Sequence, residues 1–197
     1  MAEPALDDTH GRILEVATRL FANLGYGSTS VREVCEAARV TKPTLYYHFG
    51  SKEGLFRAVV DVHLGQLSRI VEKAVSSEGS VADRLRAYTS AVTAYTVAHA
   101  DGMEVLHSAH HGPDSAKAGV SQAELTAVHE HNARLLSALL QEGVLGGELR
   151  PDLDCFHAVL SLIGMVNLHC RAASLGVPLP DDHAERVVSL FLNGVAR

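Results

Sequence analysis

Three cysteines, Cys35, Cys155 and Cys170, stand far apart in the 197 residues. An odd count with no close pair argues against a disulfide framework or a four-cysteine zinc site and for a reducing compartment. Tryptophan is absent and aromatic residues reach only 5%. The longest stretch without a formal charge runs from Cys155 to Cys170, and His157, Ser161, Asn167 and His169 interrupt it. That is short of the roughly 20 apolar residues of a bilayer span, so no membrane segment is expected. The acidic segment from Met1 to Gly11 has no basic stretch followed by an apolar run, so no secretory signal is expected and the cytoplasm is the expected location. There is also no glycine-rich phosphate loop, no serine or cysteine nucleophile in a recognisable setting and no paired carboxylates with an evident cleft. An enzyme is therefore not expected, and neither is a cofactor.

Hydrophobic residues make up 47% of the chain and charged residues 20%, the balance of a globular protein able to offset its ordering entropy. The net charge of −6 argues, taken whole, against a nucleic-acid partner. Its distribution argues otherwise. Residues 1–60 carry seven basic and seven acidic side chains, whereas residues 61–197 carry ten and sixteen, and Arg32–Arg57 holds five basic against three acidic. A locally basic head on an acidic body is the asymmetry to follow.

Period-two alternation is nearly absent, and apolar residues recur at three and four, which predicts an all-α protein of about nine helices. The first is expected over about Asp8–Leu24, with Ile13, Ala17, Leu20, Phe21 and Leu24 on one face and Gly25 and Gly27 ending it. Ser30 to Glu33 reads as a capping box opening a short helix to about Ala38. Thr41 caps a third, with Pro43 in its first turn where a missing amide hydrogen costs little, and Ser51 caps a fourth reaching about Val75. Further helices are expected over about Ser80–His99, Met103–His110, Gln122–Glu142, Leu153–Ser174 and Asp182–Val195. The domain boundary is expected inside the long fourth helix, with domains at 8–56 and 57–197.

The second and third helices have the spacing of a helix-turn-helix, whose second helix enters the major groove. At helical spacing Leu45 and Phe49 point inward. Lys42, Thr44, Tyr46, Tyr47 and His48 are left for contact, a set of donors and flat rings suited to base edges, phosphates and sugars. Considered singly, Arg32 with Glu36 also reads as a solvated surface pair, and Tyr46 and Tyr47 as boundary residues. As one block, capping, basic and aromatic features agree on DNA.

The string from Val40 to Leu55, with Leu20–Tyr26 and Ser28–Val34 before it, resembles the TetR-like transcriptional repressors. The resemblance spans about Gly11–Val59. It implies a dimer that binds a palindromic operator on double-stranded DNA and releases it when a small molecule occupies the body. It also places Arg32, Lys42, Pro43, Thr44, Tyr46, His48 and Lys52 on DNA-contacting positions. Thr41, capping the recognition helix, and Tyr47 complete the expected set. The segment Gly147–Asp154 and the apolar helix after it look like the bodies of members that sense acyl-coenzyme A thioesters, implying an apolar or acyl-CoA-like inducer.

In the body, polar groups on apolar faces are the expected ligand contacts: Tyr88, Tyr95, His99, Met103, His107, Asn132 and Asn167. For each, a core residue satisfied by a backbone partner is the alternative. The helix from Leu153 has two apolar stripes, Phe156–Leu160–Ile163 and Val159–Leu162–Val166, so one side is expected to meet the chain's own core and the other a second subunit. The dimerisation set is expected to be Val159, Leu162, Val166, Val187, Leu190 and Phe191; the alternative is a central core helix of a monomer. His107, His110 and His111 share a helix face, with His129 and His131 on another, but no glutamate or cysteine completes a motif, and no metal site is expected.

Overall fold

The structure, a computed structural model, describes residues 5–111 and 119–195. Among them there are nine helices and no strand: α1 Ala5–Ser28, α2 Val31–Ala38, α3 Lys42–Phe49, α4 Lys52–Val75, α5 Val81–Ala98, α6 Ala100–His111, α7 Gln122–Leu145, α8 Cys155–Ser174 and α9 His183–Val195. The expected all-α architecture holds. α1 is broken at Gly25, whose left-handed φ of 77° ends the straight segment at the anticipated point. Side chains close the helix starts that the sequence marks. Ser30 and Glu33 form a full capping box, Thr41 accepts from the Thr44 amide, Ser51 accepts from the Gly54 amide, and Ser80 and Asp83 form a second box.

Contacts divide the chain into two compact units, one of residues 1–65 with 100–125, the other of 66–99 with 126–197. The division falls inside α4 at Gly65 and inside α7 at Leu125, and α6 groups with the N-terminal unit. Periodicity along single helices could not have located α6, because its membership depends on which helix receives its buried face. That face is Gly102, Val105, Leu106 and Ala109, and α6 packs along α1.

The first unit is built around Ile13, Phe21, Leu45, Leu55, Phe56 and Val59, all nearly inaccessible. Phe56 meets Phe21 and Tyr26 edge-on, each at 5.1 Å between ring centroids, which locks α4 to the end of α1. Leu24, expected on the inward face, is exposed beside the break at Gly25, and Val62 lies on the outside of α4.

The second unit's core joins α5, α8 and α9 with parts of α4 and α7 through Leu85, Leu136, Leu140, Leu162, Val166 and Val188. Here one expectation is corrected. Val159, Leu162, Val166, Val187 and Phe191 all lie in the chain's own core and have no surface to offer a partner; only Leu190 of that set is exposed. The outward apolar groups are Phe156, Leu160 and Leu168 on α8 together with Leu190 on α9. The two stripes of α8 are equivalent in sequence, and packing against α5 and α9 chose between them.

A second correction concerns hydropathy. α8, with 20 residues and a mean hydropathy of 1.2, is long and apolar enough to cross a membrane by length and composition. Counting only charge-free runs missed it, because Arg171 near its end does not break the apolar window. With one face in the core, its composition is that of a helix apolar on two sides.

Candidate nucleic-acid interface

α2 and α3 are joined at Arg39 and Val40, and Arg39 adopts the left-handed conformation with φ 55° while its amide returns to carbonyls of α2. The Arg12 guanidinium of α1 donates to the Ala38 carbonyl at 3.0 Å, placing positive charge at the C-terminal end of the α2 dipole. These contacts set the angle at which α3 leaves. α3 has one inward anchor, Leu45, which is fully buried. Phe49 is only half-buried, against the expectation, and stacks on the His10 ring of α1 at 4.7 Å.

The opposite side of α3 faces outward. Thr41, Lys42, Pro43, Tyr46 and Tyr47 are exposed, Tyr47 to 78%, and Thr44 is half-buried with its hydroxyl 2.8 Å from that of Thr41. His48 is half-buried and meets His10 and Tyr47 ring to edge at 5.7 and 5.3 Å. The outward row therefore combines an ammonium, two phenol hydroxyls and an exposed helix start, each able to donate to a phosphate or a base edge.

Flanking groups position two further cations. Arg32 at the start of α2 is exposed and bonds Glu36 at 2.6 Å, and that partner raises its already high pKa. Lys52 opens α4 with its Nζ 4.3 Å from the centre of the Tyr26 ring. The Tyr26 hydroxyl donates to Glu53 at 2.9 Å. The Glu53 carboxylate is held below its ordinary pKa by its own amide, the Ser51 hydroxyl and Tyr26, and Glu33 is lowered by the Ser30 hydroxyl and amide. Glu33 and Glu53 are thus used as helix-start acceptors and Glu36 as the partner of Arg32. Sequence reasoning missed His10 and Tyr26 as supports, because each acts across a gap of more than 25 residues that only the tertiary fold closes.

A family model described as bacterial regulatory proteins, tetR family, matches residues 13–59, the segment that carries this face. The transcriptional repressor ComR of Escherichia coli is 31% identical over 149 residues, 73% of this chain and 69% of ComR. The chain belongs to the TetR family. The transcriptional repressor KstR2 of Rhodococcus jostii is 29% identical over all of this chain and 98% of its own length. The crystal structure of the TetR-family regulator PfmR from Thermus thermophilus superposes with a TM-score of 0.78 at 27% identity, covering 94% of this chain and all of that one. Like other TetR-family members, this protein is a DNA-binding transcriptional regulator.

Of the expected ligand contacts, Tyr88, Tyr95, His99, Asn132 and Asn167 lie in the second unit and Met103 and His107 in the first. Tyr88 is buried on α5, and burial drives its phenol pKa upward. Asn132 on α7 is half-buried, with its Oδ1 inaccessible and unpartnered. Tyr95 is half-buried and stacks on His99 at 4.2 Å. His99 and Asn167 are exposed, which corrects the expectation of an interior place; Asn167 lies on the same outward side of α8 as Leu168 and Leu160. Met103 and His107 belong to the first unit, and His107 is exposed. A groove of about 490 Å³ between the end of α7 and the start of α8 is lined by Leu145, Leu153, Cys155 and Phe156 among others, and by none of the seven. Thr89, unanticipated, is fully buried with its hydroxyl unpartnered. Among the described residues no group of three metal-ligating side chains occurs, and the side chain of His111 lies outside them.

Proposed function

We propose that the protein is a homodimeric repressor that holds two recognition helices in successive major grooves of a palindromic operator and is released by a small-molecule inducer. The outward row of α3 carries this reading: a short helix braced by Leu45 and capped by Thr41 presents Lys42, Tyr46 and Tyr47 to solvent. Two-fold pairing is supported by the outward apolar groups of α8 and α9, since exposed Phe156, Leu160, Leu168 and Leu190 are the kind of side chains a second copy buries. Pairing sets the half-sites about 34–36 Å apart, one helical turn of DNA.

The inducer acts by its differential affinity for the two states. Tyr88, Thr89 and Asn132, polar groups inside an apolar unit, support a largely apolar effector with uncharged hydrogen-bonding groups. The acyl-CoA-like class rests on Gly147–Asp154 alone. The protein works in the cytoplasm, where its DNA is, and catalyses no reaction.

The test is selection of bound duplexes from a randomised library by the full-length protein, followed by a thermal-shift screen of small molecules and a competition measurement. Enrichment of an inverted repeat, with release by any compound that raises the melting temperature, supports the reading. Enrichment of no sequence, or retention of the duplex in the presence of every stabilising compound, contradicts it.

A further inference from the structure

Two imidazoles meet at the end of the recognition helix, His10 from early in α1 and His48 from the last turn of α3. Their ring centroids are 5.7 Å apart, with the planes at 71°. His10 also stacks on Phe49 at 4.7 Å, and Tyr47 meets His48 edge-on at 5.3 Å, so aromatic neighbours hold both rings in place. Both remain half-buried, with a way out to solvent. His99, His110, His157 and His169 each set Nδ1 on a carbonyl or carboxylate at 2.7–2.9 Å. His10 and His48 differ. Among the described residues, neither ring has a hydrogen-bond or ion-pair partner in the protein.

We propose that His10 and His48 together hold one backbone phosphate of the DNA, so that His10 is a further DNA-binding residue and binding is accompanied by uptake of a proton. This rests on the reading of α3 as the helix that enters the groove. His10 lies outside the matched segment of residues 13–59, but its contact with His48 brings it beside the outward row of Lys42, Tyr46 and Tyr47. Phosphates flank a helix seated in the groove, and their contacts fix its register. Imidazole gains its charge between pH 8 and 5, and only the charged ring donates from both nitrogens. Such a bond to a phosphate is charge-assisted.

The surrounding charges do not supply a counter-ion from within. On α1, Arg12 donates to the Ala38 carbonyl, with Glu15 and Arg19 further along. On α2, Glu33 closes the capping box, Glu36 pairs with Arg32 and Cys35 is buried; on α3, Lys42 adds a further cation. α6, packed along α1, carries Asp101, Glu104, His107 and His110. None of these carboxylates is paired with either ring. Two charged imidazoles this close repel one another, so one added proton on the pair matches the single charge of one phosphodiester. The complex then binds more protons than the free protein, and affinity rises as pH falls.

The experiment compares full-length wild type, His10→Gln, the double variant His10→Gln/His48→Gln, and His131→Gln, which alters an exposed histidine of α7 in the second unit. Each is titrated at pH 8.0 and 6.0, in buffers free of phosphate, against the duplex that the wild type selects from a randomised library. Wild type and His131→Gln are expected to bind at least about fivefold more tightly at the lower pH, with a salt slope steeper by about one. His10→Gln is expected to keep less than half of that gain and the double variant almost none. No gain in the wild type, or the full gain in His10→Gln, overturns the proposal. Ring-proton resonances of the wild type decide the matter whether or not the variants fold. Adding duplex at pH 7.0 is expected to move those of His10 toward imidazolium, and an unmoved His10 resonance overturns the proposal. Failure of the underlying reading looks different, because the wild type would then select no duplex at either pH.

Discussion

Each of the two units of the chain buries an apolar core of its own, but they leave different things outside. The first presents ammonium, guanidinium and phenol groups around a short helix, with Arg32 on Glu36, Lys52 over the Tyr26 ring and Tyr47 against His48. The second presents bare hydrocarbon on α8 and α9 and keeps several of its polar groups, Tyr88, Thr89 and Asn132, inside. A surface of positioned donors serves a polyanion, whose recognition is geometric and electrostatic. A surface of Leu and Phe serves another apolar surface, and polar atoms without partners in an interior serve a guest that can satisfy them. On the proposed reading, the contrast teaches that binding DNA and sensing a ligand are separate physical problems solved in separate cores.

The largest expected effect tests that separation. Leu45→Ala removes the single inward anchor of α3 and is expected to cost about 2–5 kcal/mol. DNA binding should vanish while calorimetry still reports melting of the second unit; a simultaneous collapse of both would break the comparison. Next, Leu168→Glu with Leu190→Glu places charge on the outward face of α8 and α9. Sedimentation should show monomers with unchanged helix content and an operator affinity reduced at least tenfold. A retained dimer would move the interface elsewhere.

Smaller effects sharpen the picture. Ser30→Ala opens the α2 capping box and should lower stability by about 1 kcal/mol, read as an earlier denaturation midpoint with no change in the melting of the second unit. The least effect concerns His183, whose pKa is lowered by burial and then by the nearby His169 ring, 4.9 Å away. A histidine depressed in the folded state binds fewer protons there than when unfolded. Stability therefore falls as pH drops below the unfolded value of about 6.5 toward the lower folded one. His183→Phe should flatten the melting temperature between pH 7.5 and 5.5, and an unchanged slope would remove His183 as the cause.

The first unit was legible because its signals are local. Ser30–Glu33, Thr41–Thr44 and Ser51 lie within four residues of the amides they cap, and alternation of Leu45 with Lys42 and Tyr46 places the outward row without any knowledge of the fold. The second unit was legible only as helices. Which stripe of α8 faces inward, and whether Asn167 is inside or outside, depends on α5 and α9, and nothing in the helix's own period breaks that tie.

The central claim is that the outward row of α3 binds DNA. The most direct measurement is the affinity of full-length Tyr46→Ala and Lys42→Ala for the selected duplex over a series of salt concentrations, beside wild type and at matched thermal stability. The account predicts a loss of about 1–3 kcal/mol for Tyr46→Ala, and for Lys42→Ala a weaker affinity with the salt slope reduced by about one. Wild-type affinity and salt slope in both variants would contradict it.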